Sequence, residues 1–281
     1  MKLNYDNGYY EGEVNDRNQP HGFGVRFWEA GGRYAGEWVN GNRQGIAVET
    51  YPNGNRYLGS FDFDKREGQG TMFYKESGDH YEGEWRGGLF FGKGKYTWAN
   101  GCWYEGEWYK DKRDGYGVET YKNGNRYEGN YMDGSRHGKG KMFYSDGAVY
   151  EGEWKNNLFS GYGKYTWANG CYYEGSWEND KRHGHGTETY QGGGRYEGNY
   201  SEGKKSGWGV ETWPSGNRYE GNYADGKRNG QGTMYYASGS TKSGYWQNDD
   251  FVGSSPSGGG YSGGGDGGYS GGGYSGGKFS V

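Results

Sequence analysis

The chain is short of the residues that build an ordinary interior. Only 30% of its 281 residues are hydrophobic and its mean hydropathy is −1.28, which excludes a large aliphatic core. No apolar run approaches the ~20 residues of a membrane helix. The opening MKLNYDNGYY lacks the basic-then-apolar pattern of a secretory leader. Positive charge is not in surplus, since the formal net charge is −4, and phosphate backbones call for a basic excess. These shortages predict a soluble, cytoplasmic protein that does not bind nucleic acid. What is abundant is glycine, 64 residues, together with 32 Tyr, 12 Trp and 11 Phe. Disordered chains are poor in aromatics, so ring packing between neighbouring strands must supply the apolar burial.

Those residues recur on a fixed step. The phrase Tyr-x-Gly-x-aromatic opens at Tyr10, Tyr34, Tyr57, Tyr81, Tyr104, Tyr127, Tyr150, Tyr173, Tyr196 and Tyr219. A second anchor, Gly-x-Gly, keeps the step from Gly22 to Gly230 and is broken only by Gly45-Ile46-Ala47. A period in the low twenties is the mark of a repeat fold whose units bury their faces against each other. Within YEGEW, Tyr, Gly and Trp alternate with the two Glu, which is strand patterning. GKGKYTW from Gly92 does the same. Folding this hairpin about residues 88 and 89, with a loop of about six residues, sets Glu82 opposite Lys95, Gly83 opposite Gly94, Glu84 opposite Lys93 and Trp85 over bare Gly92. Return turns such as Ala99-Asn100-Gly101 and Lys122-Asn123-Gly124 join one hairpin to the next.

The predicted fold is therefore all-β: an elongated, twisted antiparallel meander of about ten hairpins over residues 1–252, opening with half a hairpin at Lys2–Gly8. Residues 253–281, rich in Gly, Ser and Tyr, read as a flexible tail. Above the 23-residue step lies a triplet rhythm. VETY or a near copy begins at Val48, Val118 and Thr187, MFY at Met72 and Met142, and YTW at Tyr96 and Tyr165. Cys102 and Cys171 occupy equivalent places three units apart, about 29 Å at the usual strand spacing, so they are expected as free thiols.

Tyr150-Glu151-Gly152-Glu153-Trp154 with Gly161-Tyr162-Gly163, and Tyr219-Glu220-Gly221-Asn222-Tyr223 with Asp225-Gly226-Lys227-Arg228-Asn229-Gly230, resemble the MORN repeat over about residues 2–246. The resemblance implies a sheet used for protein docking or dimerisation, as in radial spoke heads, junctophilins and protist cytoskeletal scaffolds. It also implies a cytoskeletal or ciliary setting, and phospholipid attachment in some members.

Candidate sites follow from the same pattern. The expected function is a non-catalytic scaffold binding protein partners, or itself, with no cofactor. Trp38, Trp85, Trp108, Trp154 and Trp177 form an aromatic ladder that a single layer should leave partly open to a partner. Leu89, Phe90, Phe91, Leu158 and Phe159 replace the basic pair at two tips and are expected as exposed apolar contacts. The alternative is a peripheral adaptor on anionic membranes. Lys65-Arg66, Lys112-Arg113, Arg136-His137, Lys181-Arg182, Lys204-Lys205 and Lys227-Arg228 would then line one edge and meet lipid headgroups, though acidic neighbours such as Asp111 and Asp225 offset them. Catalysis finds little support. Gly87-x4-Gly92-Lys93 imitates a phosphate loop but continues to Gly94 and not to a helix. His183 and His185 lack a third metal ligand in the sequence.

Overall fold

A computed structural model describes residues 1–254; the greater part of the Gly/Ser/Tyr-rich tail lies outside the described residues. Those residues form 23 strands and no helix. Seven-residue strands such as Trp103–Tyr109 alternate with nine-residue strands such as Lys112–Thr120. The chain divides into two compact units, residues 1–147 with 155–157, and residues 148–154 with 158 onward. In the first unit each strand from Lys2–Tyr5 to Ser135–Phe143 pairs antiparallel with the next in the chain. The second unit repeats this from Leu158–Thr166 to Asp250–Gly253. The all-β hairpin meander and the opening half-hairpin are thus as the sequence predicts, and Cys102 and Cys171 are free.

The register differs from expectation at the tips. Glu82 and Gly83 do face Lys95 and Gly94, but beyond a bulge Glu84 faces Phe91 and Trp85 faces Phe90. The six-residue loop is therefore a two-residue turn at Gly87-Gly88. The two glycines of Gly-x-Gly serve different ends. The first sits in the bulge with positive φ, 56° at Gly92 and 98° at Gly115, a conformation that favours glycine. The second lies under a ring, but the ring is the tyrosine of the repeat and not the tryptophan. A Cβ on Gly94 would stand 2.3 Å from the Tyr81 hydroxyl. Trp85 instead faces Gly68 of the preceding hairpin, and its indole Nε1 donates to the Gly70 carbonyl at 2.9 Å.

Ten repeat tyrosines, from Tyr10 to Tyr219, are wholly buried on the inner face. In the first unit their rings meet the last aromatic of each repeat edge to face. Tyr34–Trp38, Tyr34–Phe61, Tyr57–Phe61, Tyr57–Trp85, Tyr81–Trp85, Tyr81–Trp108, Tyr104–Trp108 and Tyr104–Tyr131 have centroids 4.9–5.5 Å apart. Each such pair adds about 0.5–1.5 kcal/mol beyond area burial. The same zigzag runs through Tyr173, Trp177, Tyr196, Tyr200, Tyr219, Tyr223 and Trp246 in the second unit. An aromatic interior replaces the aliphatic one the composition lacks.

Candidate functional site

The tips decide what each face offers. Adjacent residues of a strand point to opposite faces, so the second strand residue after each tip turns inward over the rings: the second member of five of the basic pairs, and the first member of Arg136-His137, where Arg136 is 4% exposed. Arg66 lies 4.3 Å from the Trp85 ring, Arg113 5.0 Å from Tyr131, Arg182 5.1 Å from Tyr200, Lys205 4.6 Å from Tyr196 and Arg228 4.7 Å from Trp246. Three of these cations meet a glutamate six residues on, in Arg113–Glu119, Arg182–Glu188 and Lys205–Glu211, as does Arg43 with Glu49. This is the Glu of VETY. Glu119 also accepts from the Tyr121 hydroxyl at 2.6 Å and the Tyr131 hydroxyl at 2.8 Å. Burial, with Tyr121 and the Glu119 charge adding to it, pushes the Tyr131 hydroxyl far above its ordinary pKa. The triplet rhythm is thereby explained: the inner position six residues after the tip holds Glu119, Met142 or Tyr165 in turn.

The apolar tips behave as members of the same series. Phe90 and Phe159 take the place of the inward arginine, 7% and 2% exposed, and stack on Tyr81 at 3.7 Å and Tyr150 at 3.6 Å. Only Leu89 and Leu158 project, and Phe91 packs between Tyr109 and Arg86 on the other face. The tryptophan ladder, expected partly open, is closed: Trp38, Trp85, Trp108, Trp154 and Trp177 are 3–7% exposed. Their own tyrosines and the tip side chains cover them. Of the basic pairs, Lys65, Lys112, Lys181, Lys204 and Lys227 remain outside. Lys112 and Lys204 pair with Asp133 and Asp225 at 2.9 and 3.1 Å, and Lys181 pairs with Glu202. His183 does gain carboxylate neighbours in space, with ligand atoms of Glu178, His183 and Glu202 within 4.8 Å of one another. Lys181 already holds Glu202 there, and His185 is exposed.

The sequence reading missed a patch on the outer face of the first unit. Val25, Ala35, Val48 and Leu58 face one another in file across four adjacent strands. Phe23 and Ile46, 64% and 67% exposed, stand beside them in one shallow depression. Later strands carry Glu82, Lys95 and Glu105 in that file, with Lys95 and Glu105 paired at 3.2 Å. The signal was present: Ala35 and Leu58 stand where the repeat usually has Glu, and Ile46 lies inside the one broken Gly-x-Gly, where Ala47 replaces the second glycine. Exposed flanks of both signs border the patch, Glu11 and Glu13 beside Val25 and Phe23, and Arg33 and Arg56 at the strand ends.

Ten consecutive MORN repeats match residues 10–33, 34–56, 57–77, 81–103, 104–126, 127–149, 150–172, 173–195, 196–218 and 219–241. The chain belongs to the MORN repeat family. A 62-residue stretch is 29% identical to the inactive protein tyrosine kinase pTKL of Plasmodium berghei, covering 22% of this chain and 5% of that protein. The chain thus spans only a small part of that relative's length. Among solved structures it is similar to the TCP10 domain of Danio rerio CPAP in complex with a STIL peptide, with TM-score 0.43 and 9% identity over 84% of this chain and 99% of that one. It is also similar to the SAS-4 TCP domain bound to a proline-rich motif of Ana2 from Drosophila melanogaster, with TM-score 0.34 and 16% identity over 54% and 81%.

Proposed function

We propose that this chain is a non-catalytic scaffold that binds another protein through the apolar patch on the outer face of its first hairpins. The observation that carries this reading is the file Val25–Ala35–Val48–Leu58 with exposed Phe23 and Ile46. Further along the first unit the same file carries Glu82 and the Lys95–Glu105 ion pair. Contiguous apolar surface on a polar sheet marks a contact site. The partner that fits is an amphipathic segment laid across the strands, its apolar stripe flanked by a basic edge toward Glu11 and Glu13 and an acidic edge toward Arg33 and Arg56. The family resemblance favours a cytoskeletal or ciliary assembly as its setting. Phospholipid binding at the tips has less support, because one cation of each pair is turned inward and Lys112, Lys181 and Lys204 are already paired.

Affinity capture with the full chain and with an Ile46→Glu, Leu58→Glu double variant tests the reading. A partner held by the wild type and lost at least tenfold by the variant supports it. Equal retention by both removes the patch as the docking surface. Circular dichroism of the variant, expected unchanged, guards against misfolding.

A further inference from the structure

The inner face of the first complete hairpin departs from all that follow. In the strand Pro20–Trp28 the tip position holds Pro20 and not a cation, and the inner position six residues on holds Arg26, where the strand Lys112–Thr120 has Glu119. The positive charge has moved to the place of the carboxylate. Arg26 is 8% exposed. Its Nη1 donates to the Phe27 carbonyl at 2.9 Å and its Nη2 to Asn7 Oδ1 at 2.5 Å, and the guanidinium lies 4.3 Å from the Tyr5 ring. All of these partners are neutral. Burying a cation without a counter-ion is costly. Among the described residues no carboxylate pairs with it, whereas Arg43, Arg113, Arg182 and Lys205 each have one.

The cleft beside Arg26 has a volume of about 520 Å³ and is lined by Tyr5, Trp28, Trp38, Arg43 and Asp64 among others. That size suits a small-ligand site. Arg43 pairs with both Asp64, at 3.0 Å, and Glu49, so Arg26 is the one cation lining the cleft that has no carboxylate partner among the described residues. A guanidinium has five donors in a planar fork, and only two of Arg26's are engaged.

We propose that this cleft binds an oxyanion, a carboxylate or phosphate, carried on a flat apolar body. Arg26 receives the oxyanion through its remaining N–H groups, and Tyr5, Trp28 and Trp38 enclose the body. The site lies on the inner face and stands or falls independently of the outer patch. Calorimetry and thermal unfolding of the full chain with benzoate, phenyl phosphate and inorganic phosphate test it. The wild type is expected to bind benzoate or phenyl phosphate more tightly than inorganic phosphate, and the bound ligand to raise Tm. Asn7→Asp places a carboxylate on the atom that already accepts from Arg26. It is expected to raise Tm without ligand and to weaken binding at least tenfold. Arg26→Met is expected to abolish binding. No binding by the wild type, or undiminished affinity in the Asn7→Asp variant, would overturn the proposal.

Discussion

The hydroxyl of Tyr104 lies 2.4 Å from where a Cβ on Gly117 would stand, and its Cε2 is equally close. The ring is wholly buried and held from both sides by Trp108 and Tyr131, so it cannot yield cheaply. Gly117→Ala is expected to lower stability by about 1–3 kcal/mol through overpacking, read as a shift in the urea midpoint. Ala47, buried and opposite Gly36, fills the equivalent place in an earlier hairpin. Ala47→Gly should cost less, about 0.5–1 kcal/mol.

Glu119 is the acceptor for Arg113, Tyr121 and Tyr131 at once. Glu119→Gln leaves the Arg113 charge unmet and should cost about 3–5 kcal/mol. Tyr131→Phe removes one bond to a charged group, about 1.5–3 kcal/mol. The double variant should lose less than the sum, which a denaturation cycle measures. Additive losses would show that the buried groups do not act together.

Alkali should unfold the protein steeply. Burial pushes the Tyr219 hydroxyl up to about 12, and those of Tyr57 and Tyr196 higher still. These folded values lie above the unfolded value near 10. Below pH ~10 both states keep the proton and stability is flat. As pH rises toward the folded values only the unfolded state ionises, so each such tyrosine removes about 1.4 kcal/mol per pH unit. Circular dichroism against pH should show loss of the sheet between about pH 10 and 12.

Phe90 and the inward arginines occupy one position, so they should be partly exchangeable. Phe90→Ala empties the stack on Tyr81 and should cost about 3–5 kcal/mol. Phe90→Arg should cost less, because Arg66 sits over Trp85 in the neighbouring hairpin without a glutamate, its Nη2 donating to the Gly88 carbonyl. Thermal unfolding of the two variants checks the order.

Vesicles carrying phosphoinositides distinguish the docking and lipid readings. Co-sedimentation is expected to be weak and unchanged when Lys65, Lys112, Lys181, Lys204 and Lys227 are replaced by serine. Binding that falls with salt and with those replacements would instead favour the tips as a headgroup site.

Sequence alone determined the repeat and its boundaries, the all-β hairpin plan and the thiol state of Cys102 and Cys171, because period-two alternation, Asn-Gly turns and a fixed step are local facts written in adjacent letters. The pairing of Glu82 with Lys95 was legible for the same reason. Only the tertiary structure decided the rest. The bulges at Gly68, Gly92 and Gly115 depend on backbone φ, which spacing does not reveal, and they turn Arg66, Phe90 and Arg113 inward where the tips had read as an exposed row. Burial of the tryptophans, the Glu119 network and the lone charge of Arg26 each need partners brought together from different hairpins. Their energies are set by distance in space, and neighbours in the chain carry no record of it.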